Sequence, residues 1–153
     1  MPRSNRQLTQ FAVAKVEQFL KSPQTFVNSE QGNTSVQLVD CSIKECPLRT
    51  LQVRLFGEVI FTLVLSEGSV CCFLLSSGDF YDAKGRPSRT TRERLNGLLD
   101  AMSTCNLLPD GVRAFINRET EECCIGIGDG HRTLGRENSQ VMIMANPNRL
   151  LFL

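Results

Sequence analysis

"TLQVRLFGEVIFTLVLSEGSVCCFLLS", residues 50–76, carries the fold in its alternation. Leu51, Val53 and Leu55 alternate with polar partners, the pattern of a strand with one buried face. Gly57-Glu58 then offers a tight reversal, or else a bulge within one long strand. Residues 59–66, VIFTLVLS, are apolar at nearly every position, which predicts a strand covered on both faces. Glu67-Gly68 turns the chain once more, into VCCFLLS at 70–76. The stretch reads as a three-stranded meander.

Outward from it, two helical patterns flank the meander. Leu8, Phe11, Ala12, Val16, Phe19 and Leu20 recur at three- and four-residue spacing, which predicts an amphipathic helix over about 6–21, ended before Pro23. Leu95, Leu98, Leu99 and Met102 make a second stripe, predicting a helix over about 91–105. Thr90 and Glu93 stand at the spacing of a capping box at its start. SVQLVD (35–40) alternates as a short strand, CSIKECP follows as a bend, and Pro47 is barred from a central ladder position. VRAFIN (112–117) and CCIGIG (123–128) predict a hairpin, and QVMIMA (140–145) a last strand. The expected fold class is α+β: a mostly antiparallel sheet of about five to seven strands with two packed helices. The 153 residues suit one domain, with an apolar tail at 146–153 that is free to dock on its own core or on a second copy.

Hydrophobic residues make up 41% and charged residues 22%, which excludes an intrinsically disordered chain. The longest apolar run, at 59–65, is far below the roughly 20 residues of a bilayer span, so no membrane partner is expected. Seven cysteines, an odd number with doublets at Cys71-Cys72 and Cys123-Cys124, suit reduced thiols and a cytoplasmic home. On a strand each doublet would send one thiol inward and one outward.

The net charge is +1, yet the segment from Lys84 to Arg94 holds five cations against Glu93. That segment alone is +4, so the remainder carries −3. Lys84, Arg86, Arg89 and Arg92 beside a helix start are the means to hold a phosphate, through guanidinium forks and open backbone N–H groups. Tyr81, with Phe80, adds a ring on which a base would stack. The plainer reading is a solvated loop leading into a capped helix, and the spacing does not choose between the two.

Several features in fixed order resemble a family of small proteins of bacteriophages and related mobile elements, whose pattern runs N-T-x-V, L-H-G-N-x-I-A, a glycine–aromatic step, then T-T-x-x-R-L-N. Here the matching residues are Asn33-Thr34-Ser35-Val36, Leu55-Phe56-Gly57-Glu58-Val59-Ile60, Gly78-Asp79-Phe80-Tyr81 and Thr90-Thr91-Arg92-Glu93-Arg94-Leu95-Asn96. Phe56 and Glu58 replace the pattern's histidine and asparagine. The resemblance implies a viral or mobile-element origin and, the family having no settled activity, no catalytic residues.

Candidates for chemistry are sparse. Cys41-x4-Cys46 has ligand spacing but lacks the Cys-x2-Cys knuckle, and a single histidine, His131, sits in a glycine-rich loop. GIGDG at 126–130 is followed by no helix, as a dinucleotide fingerprint requires, so no cofactor is expected. The expectation is a non-enzymatic binding module for a nucleotide or nucleic acid at Tyr81, Lys84, Arg86, Arg89 and Arg92. The alternative is a viral inhibitor that acts by contact with a host protein. A thiol- or metal-dependent enzyme stands third.

Overall fold

The computed structural model describes residues 3–43, 45–127 and 130–153, with the backbone alone for residues 41–43 and 46. Helix α1 (Asn5–Lys21) begins at a reciprocal cap: the Ser4 hydroxyl accepts from the Gln7 N–H while the Gln7 amide oxygen accepts from the Ser4 N–H. Two donors that an open first turn would leave unpaired are thus satisfied. Leu8, Ala12, Val16 and Phe19 follow on one stripe, all buried. The helix stops at Ser22, ahead of Pro23.

Five strands follow: β1 (Ser29–Gln31), β2 (Thr34–Ile43), β3 (Cys46–Leu55), β4 (Glu58–Ser66) and β5 (Ser69–Ser76). The turns between β3, β4 and β5 each have two central residues of positive φ, Phe56 (52°) and Gly57 (82°), then Glu67 (52°) and Gly68 (81°). Such mirror-image turns match the twist of the strands they join. Gly57-Glu58 is therefore a true reversal. CSIKECP is not a bend: β2 continues through Ile43 and pairs with β3 from Cys46 onward. Pro47 is tolerated there because β4 ends at Ser66, opposite Leu48, so β3 has a neighbour on one side only at the proline.

Helix α2 (Arg89–Thr104) starts earlier than its sequence suggests. Its cap is Ser88, whose hydroxyl accepts from the Thr91 N–H at 3.2 Å and pairs with the Thr91 hydroxyl at 2.9 Å. Thr91 is fully buried, so this start gives its hydroxyl a partner that a start at Thr90 would not. Glu93, freed from capping, bonds Arg89 Nε and the Asn5 amide instead. Beyond α2 come β6 (Arg113–Ile116), β7 (Cys123–Ile127), β8 (Gly130–Thr133) and β9 (Gln140–Met144).

The fold is α+β, with a six-stranded antiparallel sheet in the order β1-β2-β3-β4-β5-β9 and a three-stranded sheet β6-β7-β8. Register sets the faces of the larger sheet. Val36, Val53, Phe61, Leu75 and Val141 form one row across it, and Leu38, Leu51, Leu63, Phe73 and Ile143 the next on the same side. Those rows meet Ala12, Val16 and Phe19 of α1 and Leu95, Leu98 and Leu99 of α2 in one apolar cluster, joined by Ile125 of the smaller sheet. On the opposite face, Val59 and Val64 of β4 are half-buried and lie outside that cluster, while Thr62 between them is buried.

The tail resolves onto its own sheet: Phe152 bridges Ile143, the Met144 N–H donates to Leu151 O at 2.8 Å, and the Leu153 N–H to Met142 O at 3.0 Å. The cysteine doublets do not split inward and outward. Cys123 and Cys124 of β7 are both buried, and Cys71 and Cys72 are both half-buried where the β4–β5 register shifts. No described helix is long and apolar enough to cross a membrane.

Candidate functional site

The loop joining β5 to α2 folds around one carboxylate. Asp82 accepts from the backbone N–H groups of Lys84 at 2.9 Å and Arg86 at 3.1 Å, and from Arg86 Nε at 2.7 Å. Backbone bonds close the loop at its neck, from Asp82 N–H to Arg86 O (2.8 Å) and from Ser88 N–H to Phe80 O (2.9 Å). Gly85 supplies the positive φ of 77° that the reversal needs. Burial works against the charged form of Asp82, but the Arg86 guanidinium and the two N–H donors outweigh it and hold its carboxyl below the ordinary 3.8.

A depressed carboxylate contributes stability above its unfolded-state value and loses that contribution as pH falls through its folded value. Asp82→Asn is therefore expected to cost about 1–2 kcal/mol in urea unfolding at neutral pH, the range of charge-assisted bonds. The gap between wild type and variant should close on acidification below the ordinary aspartate range; a gap constant down to acid would exclude the role.

The five sequence candidates are not gathered at one point. Lys84 Nζ lies 2.8 Å from Glu121 Oε1, and Arg86 Nη1 donates to the Glu121 carbonyl at 3.4 Å, so these two cations meet at Glu121. Arg92 turns back to bond the Pro87 carbonyl through Nε at 3.1 Å. Arg89 is drawn to Glu93 one helical turn on, at 2.9 Å, with its side chain 87% exposed. Tyr81 is half-buried and anchored through its hydroxyl to Ser77 Oγ at 2.9 Å. One face of its ring already carries the Arg136 guanidinium, 5.0 Å from the centroid.

Lys84 and Arg86 do share a concavity. A cleft of ≈ 670 Å³ opens between residues 83–86 and 133–138, with Lys84, Arg86 and Arg136 on its walls beside Glu122, Glu137 and the buried Cys123. Its charges are of both signs, three positive and two negative. Sequence reasoning missed Asp82, Glu121 and Arg136. Asp82 was legible as an Asx residue preceding a glycine turn, but Glu121 and Arg136 reach the loop only through the packing of the smaller sheet.

Cys72 and Cys123 are poor nucleophiles here. Burial, with Cys71 beside it, pushes the Cys72 thiol up to about 11, and burial pushes Cys123 up to about 11 despite nearby Arg92 and Arg86. His131 of β8 packs edge-on against Phe115 of β6. The side chains of Cys41 and Cys46 lie outside the described residues.

The T-T-x-x-R-L-N segment proves to be structural. Arg94 is fully buried and reaches out of α2 to three places at once. The two N–H groups of its Nη1 are shared among Asn5 O (2.9 Å), Asn5 Oδ1 (2.8 Å) and Thr9 Oγ1 (2.5 Å), and its Nη2 donates to Asn33 Oδ1 (3.2 Å). It thereby ties α1, α2 and the β1–β2 turn together without a carboxylate bonded to it among the described residues. Burial pushes its guanidinium down, with Glu93 pulling the other way. Two residues on, the Asn96 amide acts as a ladder partner for β6, accepting from the Ala114 N–H at 2.7 Å and donating to the Ala114 carbonyl at 3.1 Å.

No protein-family model matches the chain, and no curated protein or solved structure does either. The reading of the site rests on its own geometry.

Proposed function

We propose that this chain is a non-enzymatic binding module that takes a phosphate-bearing ligand, a nucleotide or a nucleic-acid end, in the cleft between residues 83–86 and 133–138. The supporting observation is that an internal carboxylate already sits at the cations: Glu121 faces Lys84, beside an Arg86 guanidinium that Asp82 holds in place. The Lys84–Glu121 pair is largely exposed, and exposed pairs are worth only ~0–1 kcal/mol, so a doubly charged phosphate displaces the carboxylate at little cost. Arg136, steadied over Tyr81, supplies a third cation from the opposite wall.

Titration calorimetry with inorganic phosphate and with ATP tests this. Removing the internal competitor by Glu121→Gln should tighten binding up to roughly fivefold, while Arg136→Ala should weaken it roughly tenfold, and added salt should weaken it further. No heat at millimolar ligand, or a Glu121→Gln variant no tighter than wild type, sinks the reading.

One observation favours a second reading, contact with a host protein. Phe56 and Phe80 are 58% and 41% exposed and pack on each other at 4.9 Å between ring centroids. Phe56 does so from a turn position of positive φ, which asparagine or glycine would occupy with less strain. Under this reading, replacing both rings by serine abolishes capture of a stoichiometric, nuclease-resistant partner and leaves phosphate binding intact.

A further inference from the structure

A bulge in β5 turns two neighbouring thiols to the same side. Val64 pairs with Cys72 and Leu65 with Val70, so Cys71 is an extra residue without a partner of its own on β4. Val70 and Phe73 both pack on the apolar cluster, although an unbroken strand would set them on opposite faces. The bulge absorbs the odd step, and Cys71 and Cys72 both point away from the cluster. Cys71 Sγ donates to the Val64 carbonyl at 3.4 Å, which brings it over the residue that Cys72 faces. The two thiols are near enough to act on each other by charge and by hydrogen bonding. Both are free and half-buried.

A third sulfur stands across the next seam. Met144 of β9 is the register partner of Cys72. Val141 and Ile143 are buried in the cluster, which leaves half-buried Met144 on the side of the thiols. Paired residues hold their Cβ atoms about 4.5–5.5 Å apart, and the rotatable bonds of methionine let its sulfur swing over the pair. Sulfurs bound to one metal in a plane at ~2.3 Å lie about 4 Å from one another, a span these positions allow. The backbone beneath them is pinned on both sides: the Ala145 N–H donates to Cys71 O at 3.1 Å and the Met144 N–H to Leu151 O at 2.8 Å.

We propose that Cys71, Cys72 and Met144 are the ligands of a monovalent copper ion, held in an all-sulfur site on the seam between β5 and β9. The donor set chooses the metal. Thiolates and a thioether are soft donors, which favour Cu(I), whereas zinc takes a tetrahedron of thiolate, imidazole or carboxylate and the hard cations take oxygen. Among the described residues no three His, Cys, Asp or Glu come together, so no further donor of those types completes a tetrahedron at the thiol pair. Each thiol exchanges its proton for a bond to the metal, both protons leave to solvent, and copper keeps its oxidation state. A metal deprotonates a coordinating thiol outright, so thiols that rest protonated can serve.

Anaerobic titration of the full chain with Cu(I), in competition with a chromophoric Cu(I) chelator, tests the site. Wild type should withdraw one tight equivalent, on which X-ray absorption finds three sulfur neighbours. Met144→Leu keeps the volume of the side chain and should weaken binding roughly tenfold, leaving two sulfurs on the metal. Cys71→Ser with Cys72→Ser should weaken it at least ~100-fold with the circular dichroism of wild type; the methionine variant carries the test by itself if the serines disturb the strand. Cys41→Ser with Cys46→Ser, and Cys105→Ser, should change neither reading. Several results would overturn the proposal: a wild type that takes no copper from the chelator, copper retained by the Cys71→Ser, Cys72→Ser chain, or copper lost from the Cys41→Ser, Cys46→Ser chain. So would a Met144→Leu chain unchanged in affinity and in sulfur count.

Discussion

Arg94→Ala is expected to cost about 3–5 kcal/mol in chemical unfolding, because it strips the partner from acceptors on Asn5, Thr9 and Asn33 and leaves a cavity between the two helices. Against a typical total of ~5–15 kcal/mol that is a large share, and the midpoint should fall accordingly. Arg94→Lys keeps the charge but loses the planar fork, so one ammonium cannot reach both α1 and the β1–β2 turn. It should lie between wild type and the alanine variant. A loss below about 1 kcal/mol for Arg94→Ala would show that the desolvated guanidinium offsets its own hydrogen bonds, as buried charges elsewhere sometimes do.

Gly97→Ala should be the second large effect, and it runs against helix propensity. Alanine is ordinarily about 1 kcal/mol better than glycine inside a helix. At this position, however, the new Cβ would fall on Thr9 Cγ2 of α1, well inside contact distance. Thr9 cannot simply rotate away, since its hydroxyl receives the Arg94 donor. The helices must separate, at about 1–3 kcal/mol for an overpacked contact. Thr9→Ser removes the obstructing methyl and keeps the hydroxyl, so the double variant should recover most of the loss. Thermal unfolding of the four proteins in this cycle measures the coupling; additive losses would mean that the methyl is not the obstacle.

Much of the architecture was open to reading because it depends on neighbours in sequence. Leu8, Ala12, Val16 and Phe19 declare a helical stripe, and Leu51, Val53 and Leu55 a strand, whatever they pack against. The glycines after Phe56 and Glu67 mark turns that two residues complete between themselves. Where reading failed, a distant partner decided. Ser88 displaced Thr90 as the cap because burial of Thr91 rewards its hydroxyl pair, and burial is not visible in a four-residue window. The β2–β3 hairpin outran its expected bend because Pro47 needs only a missing neighbour, which is a property of β4's length.

The candidate site divides in the same way. Five cations in eleven residues are a fact of the sequence, and so is the turn chemistry of Asp82 and Gly85 that shapes their loop. Whether those cations are free is a fact of packing. Glu93 takes Arg89 within one helix turn, but Glu121 meets Lys84 only because β7 brings it alongside, and Arg136 covers Tyr81 only because the loop after β8 folds back. The sequence by itself determined the α+β class, the two helices and the meander, since period and turn chemistry are local. The tertiary structure alone decided that Arg94 binds the helices while Arg89 faces water, because charge pairing and burial depend on distances between residues far apart in the chain.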